Sequence, residues 1–448
     1  MMSGVEKFGG GERGRPWPQL AGLLLALVLS ACATAPVGVM APIGEPPADG
    51  STVNMLVATT RASTNDPREP YSGERGEQIM LNEVVVSIPP ARNRMVGEVQ
   101  WPRQLPPDPE RDFATVSVTP VKSEAAANDW FKRRRTASGR LLVFVHGFNN
   151  RFESAVYRFA QIAHDSGTGA APLLFTWPSR GSVFAYGYDK ESTNYSRTAL
   201  ETVLSTAAAD KSVGEITLLA HSMGTWLTVE ALRQMAIRQG RVPPKIANVI
   251  LAAPDLDIDV FRQQIADMGP ERPRFVVFVS RDDRALFVSR RLSGNVERLG
   301  QIDIGDPAIR DLLEKEGIII LDLSALRGGD SLNHSKFAVS PEVVKLLGDR
   351  LIAGQTITDQ NIGLGAHLGA AALSVGNTVG SAAGLAVSVP ISIVDPATRA
   401  DLDDQADRFG NSLGGAIYGV VPGASGARFV CDRSRKACQI EPPEKGGR

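Results

Sequence analysis

Ser222 lies in Ala220-His221-Ser222-Met223-Gly224, directly after the apolar run Ile216–Leu219 and directly before a segment of helical character. Small residues on both sides of a serine let a strand turn sharply into a helix and lift the hydroxyl above a sheet. That is the spacing of a nucleophile elbow, with Ala220 where glycine is most usual. A serine that only caps a helix would not need these flanks. A hydroxyl placed in this way can attack an acyl carbon, provided a base takes its proton and donors hold the oxyanion.

The chain contains 5 histidines, and the order nucleophile, acid, base leaves His334 and His367 as candidates for the base. His334, in Ser331-Leu332-Asn333-His334-Ser335, follows the last apolar run and precedes the last helical segment. It is the expected base, and His367 lies in an uncharged tail. The acid is expected where Phe275–Val279 runs into Ser280-Arg281-Asp282-Asp283. Asp283 is preferred there, with Asp282, Asp255 and Asp257 left open. His146-Gly147-Phe148-Asn149-Asn150 follows the run Leu141–Val145. The backbone amides of Phe148 and Met223 are the expected oxyanion donors. His146 comes too early in the chain to be the base and is expected to brace its loop. This chemistry calls for no metal and no organic cofactor.

Positioning these groups requires a particular scaffold. Leu141–Val145, Leu173–Phe175, Ile216–Leu219, Val249–Ala252, Phe275–Val279 and Ile318–Leu321 are short, continuous apolar runs, as expected of parallel strands covered on both faces. Helical segments are expected between and after them, at Arg151–His164, Glu191–Ala209, Trp226–Gln239, Val260–Met268 and Pro341–Leu351. The alternation predicts an α/β fold with a doubly wound, mostly parallel sheet and helices on both faces. Val53–Thr59, Ile79–Ile88 and Ala114–Val118 predict a strand-rich N-terminal layer. The four consecutive basic residues within Phe131–Arg135 read as a solvated loop.

With these residues in place, the chain resembles the α/β-hydrolase superfamily of esterases and lipases, and within it an uncharacterised bacterial branch, a domain of unknown function. The resemblance rests on VFVHGFNN at Val143–Asn150, FTWPSRG at Phe175–Gly181, YGYDKES at Tyr186–Ser192, LLAHSMG at Leu218–Gly224, SRDDRAL at Ser280–Leu286 and LNHSKF at Leu332–Phe337. It covers roughly Val53 to Leu351. Its S-x-x-D-x-A-L spacing favours Asp283 over Asp282. It also places Trp177, Pro178, Tyr188 and Asp189 beside the site, where they would shape an acyl pocket or brace a loop. The resemblance supplies no substrate; with the candidate triad, the expected activity is a serine hydrolase acting on an ester or thioester, lipid esters included. Acyl transfer through the same acyl-enzyme and a non-catalytic envelope scaffold are the alternatives.

The N-terminus carries Lys7, Arg13 and Arg15, then the apolar run Leu20–Leu29, then Ser30-Ala31-Cys32. This resembles a bacterial lipoprotein signal, with lipid attached to Cys32 after cleavage behind Ala31. Ala33 rather than Asp favours an outer membrane facing the periplasm over the inner membrane. The expected divisions are a signal at 1–31, a flexible tether at 32–52, a hydrolase domain at 53–351 and a Gly/Ala-rich region at 352–448. Within the last, Asn361–Val394 has no charged residue and reads as a loosely packed appendage. Cys431 and Cys438 are expected to form a local disulfide in an oxidising compartment.

The 448 residues hold 48 Lys and Arg against 49 Asp and Glu, a net charge of −1. That balance argues against a nucleic-acid partner, which needs a basic face. With 43% apolar and 22% charged residues, the composition also argues against a polytopic membrane protein or a disordered chain.

Overall fold

In a computed structural model of the chain, the described residues are 36–135, 139–326, 329–348, 392–394, 428–432 and 437–441. The expected signal (1–31), Cys32, His367 and nearly all of Asn361–Val394 lie outside them. Among the described residues, no helix is long and apolar enough to cross a membrane.

The apolar runs form strands β4 (Arg140–Val145), β5 (Ala171–Thr176), β6 (Glu215–His221), β7 (Ile246–Ala252), β8 (Arg274–Val279) and β9 (Ile319–Asp322). They pair in parallel in the order β9-β8-β7-β6-β4-β5. Such runs are apolar throughout because alternate side chains enter two different cores. In β4, Leu141, Val143 and Val145 join the core on one face, while Leu142 and Phe144 join the core on the other.

The strand-rich N-terminal part continues this sheet. Strand β1 (Ser51–Ser63) runs parallel to β5, with Leu56 opposite Leu173. Strands β2 (Tyr71–Ile88) and β3 (Ala114–Pro120) follow as an antiparallel edge. At the opposite edge, β10 (Ser392–Val394) pairs antiparallel with β9, giving a 10-stranded sheet. A separate hairpin pairs β11 (Arg428–Asp432) with β12 (Ala437–Glu441), and its register sets Cys431 opposite Cys438.

Helices α1 (Glu124–Arg134), α3 (Tyr186–Ala209), α4 (Met223–Gln239) and α5 (Ile258–Met268) cover one face, through residues such as Trp130, Leu200, Leu227 and Phe261. Helices α2 (Phe152–Asp165), α8 (Lys336–Val339) and α9 (Pro341–Leu346) cover the other, through Phe152, Phe159, Phe337 and Val343. Two more, α6 (Arg284–Leu292) and α7 (Pro307–Lys315), lie between β8 and β9.

Two sequence expectations are corrected. Phe131–Arg135 is not a solvated loop: Phe131–Arg134 is the last turn of α1, where Trp130 and Phe131 are buried and the basic side chains suit the helix C-terminus. The span 32–52 is not a free tether over its described part. Val39 and Met40 are fully buried, the backbone carbonyl of Val39 accepts from the Tyr157 hydroxyl at 2.8 Å, and the Ile43 amide donates to Thr115 at 2.9 Å. Two buried apolar side chains outweigh the Pro- and Gly-rich composition around them.

Candidate active site

The C-terminal ends of the parallel strands share one edge of the sheet, where ligands bind in open α/β folds. Ser222 stands there between β6 and α4, with φ 52° and ψ −125°. A non-glycine residue held in such a conformation stores about 1–3 kcal/mol, which its surroundings must offset. Its amide donates to Ala252 at 3.0 Å, and its carbonyl accepts from the amides of Thr225 at 3.0 Å and Asp255 at 3.3 Å and from the Thr225 hydroxyl at 2.6 Å.

Two glycines permit the close approach around it. A Cβ on Gly224 would lie 2.2 Å from the carbonyl oxygen of His146, and one on Gly147 would lie 2.7 Å from Cβ of Ser222. The start of α4 is therefore pressed against the loop that follows β4. Among the described residues, neither the Phe148 nor the Met223 backbone N–H donates to a protein acceptor. Both donors expected for an oxyanion are free for that task. The Phe148 ring meets Tyr186 edge-on, with centroids 5.3 Å apart.

Asp283 is the N-cap of α6 and is almost fully buried. Its Oδ1 accepts from the Leu286 amide at 3.0 Å, and its Oδ2 lies 2.7 Å from Nδ1 of His334. A carboxylate can only accept, so the imidazole proton sits on Nδ1 and Nε2 is left to act as base. Burial alone would lower the His334 pKa. The charge and hydrogen bond of Asp283, with Asp330 and Asp255 nearby, outweigh burial and raise it above the ordinary value of 6.5. No hydrogen bond joins the Ser222 hydroxyl to the His334 ring; the two residues are linked through His221. The His221 Nε2–H donates to the His334 carbonyl at 3.2 Å, and the two rings lie 4.7 Å apart. Burial, reinforced by the charge of His334, pushes the His221 pKa well down and keeps that ring neutral.

The competing carboxylates are engaged elsewhere. Asp282 holds the buried Lys336 ammonium through both oxygens at 2.8 Å and accepts from the Ser280 hydroxyl at 2.5 Å and Asn333 Nδ2 at 2.9 Å. Asp255 accepts from the Ser289 hydroxyl at 2.5 Å and the Tyr186 hydroxyl at 3.1 Å, and lies 3.4 Å from Nε of the buried Arg298. Asp257 caps α5. Of the four, Asp283 alone bonds to His334.

The loop after β4 is braced from behind. His146 Nδ1–H donates to the Gly147 carbonyl at 2.8 Å, while Nε2 accepts from the Thr176 hydroxyl at 2.9 Å and the Trp177 amide at 3.1 Å. Burial, with the charge of Arg61 added, pushes its pKa well down. Arg61 of β1 is fully buried and was not anticipated. It donates to Thr176 Oγ1 at 2.9 Å, to the Ser179 carbonyl at 2.8 Å, to the Ser72 carbonyl at 3.2 Å and to the Asn150 carbonyl at 2.7 Å. Desolvation lowers its pKa to about 10, so it stays charged at neutral pH. Asn150 Nδ2 in turn donates to the carbonyls of Gly147 at 3.2 Å and Phe148 at 2.9 Å. Asp189 accepts from Ser179 at 2.5 Å and from the Arg180 amide at 3.1 Å, and the Trp177 ring stacks on His146 at 4.9 Å. Trp177 and Asp189 therefore brace the loop; both are fully buried. The one cue to Arg61 in the sequence is a charge at the end of a buried strand.

Among the described residues, no group of three or more His, Cys, Asp or Glu side chains is arranged to hold a metal ion. A family model described as an α/β hydrolase of unknown function (DUF900) matches residues 123–350. A comparison with curated proteins found no match. Among solved structures, a protein described as a cell surface hydrolase from Lactobacillus plantarum is 11% identical, covers 50% of this chain and 96% of its own, and has a TM-score of 0.32. A structure from a study of two esterases of Rhizomucor miehei is also 11% identical, covers 73% and 91%, and has a TM-score of 0.26.

Proposed function

Because the chain belongs to the α/β-hydrolase family of unknown function DUF900, we propose that this hydrolase works as a serine esterase through an acyl-enzyme. The observation that carries the reading is the 2.7 Å contact of Asp283 with His334, on the same sheet edge as a serine held at φ 52°. In this reading Ser222 Oγ attacks the carbonyl carbon of an ester or thioester while Nε2 of His334 takes its proton. The amides of Phe148 and Met223 hold the developing oxyanion. His334 then returns the proton to the departing alkoxide or thiolate. A water molecule, deprotonated by the same nitrogen, releases the acid and restores Ser222. Asp283 fixes the tautomer and stabilises the imidazolium.

A fluorophosphonate probe tests the reading directly. The folded wild-type chain is expected to be labelled and Ser222→Ala not; a folded wild type that resists labelling overturns it. Esters of graded chain length then define the acyl group. We further propose that Cys32 is lipidated and holds the enzyme at the cell envelope, on the strength of the basic, apolar and small-residue series before it. Metabolic labelling with palmitate, lost in Cys32→Ala, is the expected result.

A further inference from the structure

Four exposed apolar side chains, Phe184, Phe287, Val288 and Leu292, stand on elements tied to the site but unused by it. Phe184 is 87% exposed on a single helical turn, Val183–Ala185, which runs directly into α3. Two residues on, at the start of α3, the Tyr186 hydroxyl meets Oγ of Ser289 on the inward side of α6 at 2.9 Å, which ties the two elements together. Helix α6 is inverted for a surface helix. Leu286 and Ser289 face inward, while Phe287, Val288 and Leu292 are 49%, 53% and 64% exposed. Arg284 and Arg291 are exposed with them. Positions 284, 287, 288, 291 and 292 follow the spacing of one helix face. The helix RALFVSRRL has three arginines and no acidic residue, and Arg291 lies 4.6 Å over the Phe287 ring. Of the carboxylates flanking the helix, Asp282 is held by Lys336 and Asp283 by His334, while Glu297 is followed directly by the buried Arg298.

An outward face of aromatic, aliphatic and arginine side chains suits a boundary where apolar groups enter the acyl region and guanidinium groups reach phosphate. An acidic protein partner would satisfy the arginines but leave Phe184 and Leu292 in water. We propose that the outer face of α6, together with Phe184, docks this protein on an anionic lipid surface. Because Asp283 caps the N-terminus of α6, docking through this helix would hold the acid–base pair near that surface. The inference does not depend on the esterase reading, since it concerns binding and not turnover.

The test uses the full chain carrying Cys32→Ala. With Phe184→Trp added, the extra emission over the parent is expected to shift to the blue and to be quenched by brominated lipid. This should occur with vesicles of phosphatidylglycerol and phosphatidylcholine, and not with phosphatidylcholine alone. The double variant Phe287→Asp/Val288→Asp should weaken binding to the anionic vesicles roughly tenfold, and added salt should weaken the parent. A circular dichroism spectrum and thermal unfolding that match the parent check that the double variant is folded; if it is not, the Phe184→Trp signal decides alone. Emission at position 184 that ignores anionic vesicles overturns the proposal, whether water or another protein surface covers the face. So does equal response to both vesicle types.

Discussion

Asp282 and Asp283 are neighbours in the chain and hold two residues that are themselves two apart: Asp283 bonds to His334 at 2.7 Å and Asp282 to Lys336 at 2.8 Å. The loop after β8 is thus joined to the segment before α8 at two points. A third link is the Arg284 amide, which donates to the Leu332 carbonyl at 2.9 Å. His334 stands just ahead of α8, outside any helix, and this seam fixes its position.

For Asp283→Asn, the amide leaves the seam but cannot stabilise an imidazolium, and kcat for ester cleavage should fall by about 10³–10⁴. The pH profile gives the sign. The raised His334 pKa means that the neutral base is reached at a higher pH than in an ordinary histidine, so wild-type activity should climb through a midpoint above 6.5. In Asp283→Asn that midpoint should move down, because the attraction that raised it is gone. A midpoint that stays in place would contradict the pairing. Stability moves the opposite way: the protonated pair supports the fold at low pH, and that support is lost as pH rises through the folded-state pKa.

Lys336→Met removes the partner of Asp282 and a donor to the Leu323 carbonyl. Asp282 keeps Ser280 and Asn333 and is 44% exposed, so the expected cost is modest, about 1–3 kcal/mol. Thermal unfolding should report that loss. The rate of fluorophosphonate labelling should fall by more than stability alone explains, since His334 is displaced.

Arg61 reaches the 146–150 loop only from behind, tying it to Thr176 and Ser179, and is a positioning residue. Arg61→Lys keeps the charge but loses the fork that reaches Thr176, Ser179 and Asn150 together. We expect kcat to drop roughly 10²-fold with KM little changed, the mark of a disturbed oxyanion site. Asn150→Ala should reproduce part of the effect. A change confined to KM would count against the assignment.

Gly147→Ala puts a methyl group 2.7 Å from Cβ of Ser222. Overpacking of this kind costs about 1–3 kcal/mol, and the displaced amide of Phe148 should slow labelling of Ser222. Gly187→Ala, where an added Cβ meets nothing within 4 Å, is the control expected to behave as wild type.

The register of β11 and β12 sets Cys431 opposite Cys438, within the Cα separation a disulfide needs. Under oxidising conditions neither thiol should react with maleimide until a reductant is added. Free thiols in both would refute the expected bridge.

The elbow, the order of candidate residues and the parallel core could be read from the sequence because each depends on contiguous residues. Ser222 needs only its small flanks, and β4 to β9 need only unbroken apolar runs. Choosing between Asp282 and Asp283 was harder, since residue type is the same and only the end of β8 and the capping of α6 decide which one turns toward His334. Arg61 was beyond reach. Its partner Thr176 lies 115 positions away, and their contact exists only because β1 inserts beside β5. Helices α1 and α6 were missed for related reasons. The first ends in a basic run that looks solvated, and the second turns its apolar residues outward.

The insertion of β1 beside β5 has a consequence in time. A nascent chain completes β1 long before Thr176 and Ser179 exist, so Arg61 waits in water, unable to shed its hydration until its acceptors arrive. The loop bearing Gly147 and Phe148 has no backing until then, and Ser222 and His334 are still to come. Catalytic power should therefore appear abruptly and late, when strands far apart in the chain close together, leaving every shorter intermediate chemically inert.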